Sequence, residues 1–231
     1  MTVELCNTSL ESASHRVTAF VGANRWKTNS YLVTAKRSGR SFLVDASGEA
    51  AHLLPALEGL HPAIEFVLLT HGHFDHLSSA AALCEAFSVP LVVHSGDLRL
   101  LRQAPFYALR FDGAPVTLPG ALLTLDAPQA PELAVLGIRV IHTPGHTPGG
   151  VCYGVGDFFF TGDTLFREAV GRTDQPGGDP AGLARSVAQL LTAMPPEGII
   201  LPGHGRSWDA AAARAWWQGA AGAPAALDRF I

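Results

Sequence analysis

Nine short apolar runs, each bounded by turn-forming residues, constrain the fold of this 231-residue chain more than any other feature. Val, Ile, Leu and Phe dominate the runs, and Gly, Pro, Asp or Ser stands beside them, which is typical of β-strands. The runs cover residues 16–22, 29–35, 41–47, 64–70, 90–96, 136–143, 150–156, 157–163 and 198–204. None of the apolar stretches is long enough to span a bilayer. The sequence therefore predicts a β-rich globular protein that does not cross a membrane.

Helices are predicted between some of these strands. Apolar residues recur at helical spacing over residues 49–59, 75–87, 181–193 and 208–218. Because the early strands follow one another directly and the later ones alternate with helices, we expect an α/β protein whose sheets carry helices on their outer faces. Asp75, at the start of the second segment, favours a helix N-terminus there. Residues 102–134 are rich in proline and weakly periodic, which predicts a long loop or an insertion.

Composition and charge narrow the class of protein. Apolar residues make up 48% of the chain and charged residues 16%, which fits a soluble protein with a substantial core. There is no internal repeat and no low-complexity linker, so we expect a single domain over residues 1–231. The formal net charge is −4 and the Lys and Arg residues are scattered, so binding of nucleic acid by bulk electrostatics is not expected.

The cysteines and the N-terminus predict the compartment. Cys6, Cys84 and Cys152 are odd in number and far apart, which indicates free thiols in a reducing compartment and not a disulfide framework or a CxxC zinc site. The first residues, MTVELCNTSLESASHR, have neither the basic n-region nor the apolar h-region of a secretory signal. We therefore expect a cytoplasmic protein.

A dense group of metal-ligand residue types follows the run at 64–70. His71, His73, Asp75 and His76 fall within six positions. Buried imidazoles and carboxylates need partners, so this group is harder to explain as part of a core than as a set of metal ligands. The group also stands just beyond the C-terminal end of a predicted strand, where open α/β sheets usually place active sites. The motif therefore predicts a metal site.

Three later apolar runs also lead to residues of these types beside Gly or Pro turns: His146, Asp163 and His204. Together with the first group they make seven candidate ligands. One zinc ion takes about four ligands. Seven candidates therefore suit two ions that share a carboxylate. They also suit one ion if some of the seven do not contact the ion but form hydrogen bonds to its ligands. His142 lies four residues before His146, and we do not expect it to be a ligand.

The order HxHxDH, distant His, distant Asp, final His resembles the pattern of the metallo-β-lactamase superfamily. The resemblance runs from about residue 29 to residue 207. It implies an α/β fold, an αβ/βα four-layer sandwich of two mixed β-sheets flanked by helices. It also assigns the ligands: His71, His73 and His146 to the first ion, Asp75, His76 and His204 to the second, and Asp163 to a bridging position.

Two further residues receive roles beside the metals. Asp45, in FLVDAS, matches an early Asp of the superfamily, and the resemblance implies that it orients a ligand loop. Metal-bound imidazoles usually donate their other N–H to such a group. The alternative is an Asp that only forms a turn. Arg172, in GRTDQP, is suited to binding an anionic substrate group, since Arg pairs with carboxylates in bidentate fashion. The alternative is a structural pair with Asp174 or Asp179.

Within the superfamily, the segments TPGHTPGG, FTGDTLF and GRTDQPGGD look most like the glyoxalase II group and the related persulfide dioxygenases. The shorter glyoxalase II-like hydrolases are the best match. The resemblance implies a binuclear metal-dependent hydrolase similar to hydroxyacylglutathione hydrolases. A metal-bridging hydroxide would cleave a thioester of a small-molecule substrate, with Asp75 as ligand and orienter of that water. The chain has no GxSxG motif, which argues against a serine hydrolase.

Several alternatives stay open at this point. The two divalent ions are expected to be zinc, and iron or manganese suits the same ligands. A persulfide dioxygenase would hold a single iron with His71, His146 and Asp163. A lactonase or another ester hydrolase would use the same machinery, and a non-catalytic member would keep the metals for stability. The sequence makes no prediction of oligomeric state.

Overall fold

The computed structural model describes residues 8–128 and 132–220 of the chain. The chain divides into two compact units, with the boundary between Glu132 and Leu133. Each unit contains its own mixed β-sheet and its own helices. The single domain expected over residues 1–231 stays a prediction.

The first unit is built on a seven-stranded sheet in which the strands lie side by side in chain order. The strands are β1 Thr8–Glu11, β2 His15–Val21, β3 Asn29–Ala35, β4 Arg40–Val44, β5 Ala63–Leu68, β6 Leu91–Val93 and β7 Leu122–Thr124. Strands β1 to β4 pair antiparallel, and β4 to β7 pair parallel. Each parallel pair is joined by a crossover helix, as parallel pairing requires. These helices are α1 Ala50–Glu58, α2 Ala80–Phe87 and α3 Leu98–Asp112.

The core of the first unit lies between this sheet and the helices. Leu43 of β4, Leu57 of α1 and Leu83 of α2 are fully buried in one apolar cluster. Burial of each such side chain stabilises the fold by about 1.5–3 kcal/mol. Strand β5 therefore lies against a well-packed core, and the metal-ligand motif follows β5 directly in the chain.

The second unit is built on a five-stranded sheet with the order β14-β13-β10-β9-β8. The strands are β8 Ile138–His142, β9 Val151–Val155, β10 Phe158–Gly162, β13 Ile199–Pro202 and β14 Trp208–Asp209. Strands β11 Leu165–Phe166 and β12 Ala169–Val170 form a separate two-stranded sheet. The helices are α4 Pro180–Ala193 and α5 Ala210–Ala220. Helix α4 connects the parallel pair β10 and β13 and packs Leu183, Val187 and Leu190 into the core.

All nine predicted strands are present, and two of the other predictions are wrong in part. The helix predicted over 75–87 begins at Ala80, whereas residues 74–76 form a short 3₁₀ turn. Asp75 therefore does not stand at the N-terminus of an α-helix. The reason is that the side chains of Asp75 and His76 are held in buried hydrogen bonds to Thr28 and Asp45, which fix the chain in a tight turn.

The long loop predicted over 102–134 is wrong for its first third, because α3 continues to Asp112. Leu101, Ala104 and Ala108 follow one another at helical spacing and are almost completely buried. This buried stripe outweighs the loss of one helical hydrogen bond at Pro105. Strand β7 and a 3₁₀ turn at Leu133–Leu136 also lie in the predicted loop, and residues 129–131 are outside the described residues.

The predictions of the last helix and of free thiols at Cys84 and Cys152 are confirmed. The helix expected over 208–218 is present as α5, although it begins two residues later because Asp209 caps it, accepting a hydrogen bond from Ala212 N at 2.7 Å. Cys84 and Cys152 are buried free thiols, and burial raises the pKa of Cys152 to about 11. Cys6 lies outside the described residues. Within the part of the chain that is described, no helix has the length and apolarity needed to cross a bilayer.

Candidate metal centre

The first unit brings four of the candidate ligands together in the turn after β5. His71 Nε2 lies 2.9 Å from His73 Nδ1, and the rings of His71 and His76 have their centroids 4.1 Å apart. The ligand atoms of Asp75 and His76 lie within 4.8 Å of each other. Three of these residues are buried and His73 is half-buried. One turn therefore supplies a compact set of imidazole and carboxylate donors.

Asp45 contacts the residues of this turn and fixes their orientation. Its carboxylate accepts hydrogen bonds from Thr70 N and from Thr70 Oγ1, both at 2.8 Å. Its Oδ2 also lies 2.8 Å from His76 Nδ1. Asp45 is 1% exposed and adopts φ 56°, a left-handed conformation that Asp tolerates better than most residues.

The contact with Asp45 decides which nitrogen of His76 is presented. Since Nδ1 is engaged by Asp45, Nε2 points toward Asp75, whose Oδ2 is 3.6 Å away. Thr70, the second partner of Asp45, also contacts His71 Nδ1 at 3.1 Å. These contacts support the role predicted for Asp45, in which it orients the ligand loop.

Asp97 is a second buried carboxylate at this turn, and the sequence analysis missed it. Its Oδ2 accepts a hydrogen bond from Gly72 N at 2.9 Å, and the residue is fully buried. Gly72 allows this close approach, because a Cβ at this position would lie 3.1 Å from Asp97 O and from Leu101 N. Asp97 directly precedes α3, whose helical character was also missed, so no sequence signal connected it with the His motif.

The second unit brings the other three candidates together. Asp163 follows β10 and lies between two imidazoles. Its Oδ2 is 3.5 Å from His146 Nε2, and its Oδ1 is 3.5 Å from His204 Nε2. The opposite nitrogen of His146, Nδ1, lies 2.7 Å from the backbone oxygen of Arg172. Each oxygen of Asp163 therefore faces a different histidine.

Gly171 makes this arrangement possible. A Cβ at residue 171 would lie 1.9 Å from the backbone oxygen of Asp163 and 3.0 Å from His146 Nδ1. Real Cβ atoms do not approach backbone so closely, so any other residue would push Asp163 and His146 apart. The sequence contains no signal for this role.

We expect Gly171→Ala to weaken metal binding by about 10- to 100-fold, the cost typical of disturbing the support of a metal ligand. The measurement is a zinc titration in competition with a chromophoric chelator. Gly120→Ala is the matched control, because nothing lies within 4 Å of a Cβ there. Equal zinc affinity of the two variants would contradict the assigned role of Gly171.

Arg172 is engaged within its own loop. Its guanidinium forms two hydrogen bonds of 2.7 Å to the carboxylate of Asp174. The pair raises the pKa of Arg172 and lowers the pKa of Asp174. This is the structural pair considered above, so a substrate carboxylate would have to compete with Asp174 for the same donors. His142 Nε2 lies 3.0 Å from Pro148 O, at the protein surface.

The donor set fits divalent cations. It consists of imidazoles and carboxylates, which zinc, iron and manganese all accept as ligands. These side chains are buried or half-buried, where a carboxylate needs a cationic or hydrogen-bonding partner.

Residues 23–204 match the family model of the metallo-β-lactamase superfamily. The chain belongs to the metallo-β-lactamase superfamily. Most members of this superfamily are metal-dependent hydrolases. The resemblance drawn from the motif and the predicted fold class are therefore confirmed.

Three known proteins illustrate what this chain is similar to. The hydroxyacylglutathione hydrolase GloC of Haemophilus influenzae is 35% identical over 176 residues, which cover 71% of this chain and 79% of GloC. The structure of TTHA1623 in a di-iron-bound form is 35% identical with a TM-score of 0.73, over 83% of this chain and 94% of that one. The structure of the BLEG-1 B3 metallo-β-lactamase is 29% identical with a TM-score of 0.74, over 85% of this chain and 95% of that one.

Proposed function

We propose that this protein is a binuclear metal-dependent hydrolase that cleaves a thioester. His71, His73 and His146 would hold the first ion, Asp75, His76 and His204 would hold the second, and Asp163 would serve both. The ions are zinc in the first instance, with iron or manganese as alternatives. The substrate is a small acyl thioester, and the protein acts in the cytoplasm as a single domain.

The position of Asp163 is the observation that carries the proposal. The two oxygens of Asp163 face different imidazoles, each at 3.5 Å. A carboxylate that bridges two ions requires such an arrangement. Two relatives add support, since one is named as a hydroxyacylglutathione hydrolase and another was solved with two irons.

The reaction adds water to a thioester and gives a carboxylate and a thiol. When bound, two divalent cations supply a nucleophile at neutral pH by lowering the pKa of water, and they polarise the carbonyl group. The residues of the chain do the rest. Asp75 would orient the water, and Asp45 holds His76 in one orientation through its contact with Nδ1. Arg172 contacts an anionic group of the substrate if it is released from Asp174.

Elemental analysis of the purified protein, paired with a substrate panel, tests this proposal. The panel contains S-lactoylglutathione, simple acyl thioesters, homoserine lactones and a β-lactam. We expect two ions per chain and the fastest hydrolysis on a thioester. A single iron with oxygen uptake on glutathione persulfide would contradict the proposal and indicate a dioxygenase. Fastest hydrolysis of the lactones or of the β-lactam would contradict the thioester assignment alone.

A further inference from the structure

We propose that Thr28 is a positioning residue for Asp75. Its hydroxyl holds one oxygen of the Asp75 carboxylate and so fixes the plane in which that carboxylate faces a metal ion and a water molecule. This inference rests on the proposed function only for the part that concerns the reaction. The part that concerns metal binding requires only that Asp75 is a metal ligand, whatever the substrate is.

The contact is short and buried. Thr28 Oγ1 donates to Asp75 Oδ2 at 2.7 Å, across 47 residues of sequence. Thr28 is fully buried and Asp75 is 8% exposed. Hydroxyl donors to a carboxylate at this distance are among the stronger hydrogen bonds in proteins.

Thr28 is itself held in place. Its backbone oxygen accepts hydrogen bonds from Gly22 N at 2.9 Å and from Ser47 Oγ at 2.7 Å. Ser47 N in turn donates to Ser30 Oγ at 2.9 Å. The backbone of residue 28 is therefore tied to both ends of the β2–β3 loop and to the segment after β4. This fixed backbone sets the position from which the hydroxyl reaches Asp75.

Asp75 needs such a partner because its own torsion does not define the carboxylate plane. The χ2 well of Asp is broad, so rotation about Cβ–Cγ is limited mainly by what the oxygens contact. Thr28 holds Oδ2, and His76 Nε2 lies 3.6 Å from the same oxygen. Without the hydroxyl, this oxygen would lose its short hydrogen bond and the carboxylate would rotate.

Three variants separate positioning from general stability. Thr28→Val has nearly the shape of Thr but lacks the hydroxyl, and Thr28→Ser keeps it. Thr34→Val is the matched control, because Thr34 lies in the neighbouring strand β3 and its hydroxyl contacts Ser41 Oγ at 2.9 Å, away from the motif. The probe is Co²⁺, followed through its d–d absorption and by competition with a chromophoric chelator.

We expect Thr28→Val to weaken Co²⁺ binding by about 10- to 100-fold and to change the d–d band. On the best thioester of the panel, kcat falls by a similar factor while KM changes little, since the carboxylate does not bind the substrate. Thr28→Ser and Thr34→Val remain close to the wild type in Co²⁺ affinity and in kcat.

A double-mutant cycle tests whether Thr28 acts through Asp75. In an Asp75→Asn background, Thr28→Val should cause little further loss of Co²⁺ affinity, because coupled residues are not additive. Additive losses, failure of Thr28→Ser to restore binding, or wild-type Co²⁺ affinity in Thr28→Val would each overturn the inference. If the wild type cleaves no thioester but Thr28→Val still weakens Co²⁺ binding, the inference stands and the proposed function fails.

Discussion

We expect Asp163→Asn to reduce the metal content from the proposed two ions per chain to one or fewer, and to lower the rate of thioester hydrolysis by about 1000-fold. The substitution keeps the shape of the side chain but removes its negative charge and replaces one oxygen by an amide donor. Since each oxygen faces an imidazole at 3.5 Å, one of the two ions loses its ligand. Loss of the several kcal/mol that a metal ion contributes to the transition state corresponds to about three powers of ten in rate.

Asp157→Asn is the matched control for this prediction. Asp157 directly precedes β10, at the opposite end of the strand from Asp163, and it is exposed. Elemental analysis and initial rates of both variants, with circular dichroism as a check of folding, give the comparison. A folded Asp163→Asn protein that still carries two ions would show that this carboxylate does not bridge them.

We expect removal of the metals by a chelator to abolish hydrolysis and to lower the melting temperature by about 10 °C for each ion. A ligand present at 1000 times its dissociation constant stabilises the native state by about 4 kcal/mol. For a chain of this length, each kcal/mol corresponds to about 2–4 °C. The physical reason is that the candidate ligands are imidazoles and carboxylates in buried or half-buried positions, and the cations compensate the desolvation cost of burying them.

Calorimetry of the chelated protein, before and after addition of zinc, measures this effect. Zinc should restore both the melting temperature and the hydrolysis. A chelator saturated with zinc beforehand is the control and should change neither. An unchanged melting temperature together with full activity after exhaustive chelation would exclude a metal-dependent mechanism.

The strands of this fold were predictable because most of them are buried runs with turn residues at both ends. Strand β3 spans the predicted residues 29–35 without any difference. The five strands that were missed have two to four residues each: β1, β7, β11, β12 and β14. Such short segments carry no periodicity, and they become strands only because a partner strand lies beside them. Helix α3 was missed for a different reason. Pro105 and the prolines that follow the helix led to the prediction of a loop, whereas the buried stripe of Leu101, Ala104 and Ala108 stabilises a helix.

The candidate ligands were predictable for a different reason. Their residue types and spacing are dictated by coordination chemistry, and they cluster at the ends of apolar runs. The residues that hold them are not marked in this way. Thr28 reaches Asp75 across 47 positions, and Asp97 reaches Gly72 across 25. A threonine, a buried aspartate or a glycine such as Gly171 has many ordinary uses, so only the fold shows that these residues support the site.

The central claim is that the seven candidate ligands hold one pair of ions, and metal content measures it most directly. The comparison uses His71→Ala from the first unit and His146→Ala from the second, with His142→Ala as the control. We predict two ions per chain for the wild type and the control, and one ion per chain for each of the other two variants. The double variant His71→Ala/His146→Ala should also keep one ion, because both residues are assigned to the same ion. If the double variant lost both ions, or if either single variant kept both, the account would be contradicted.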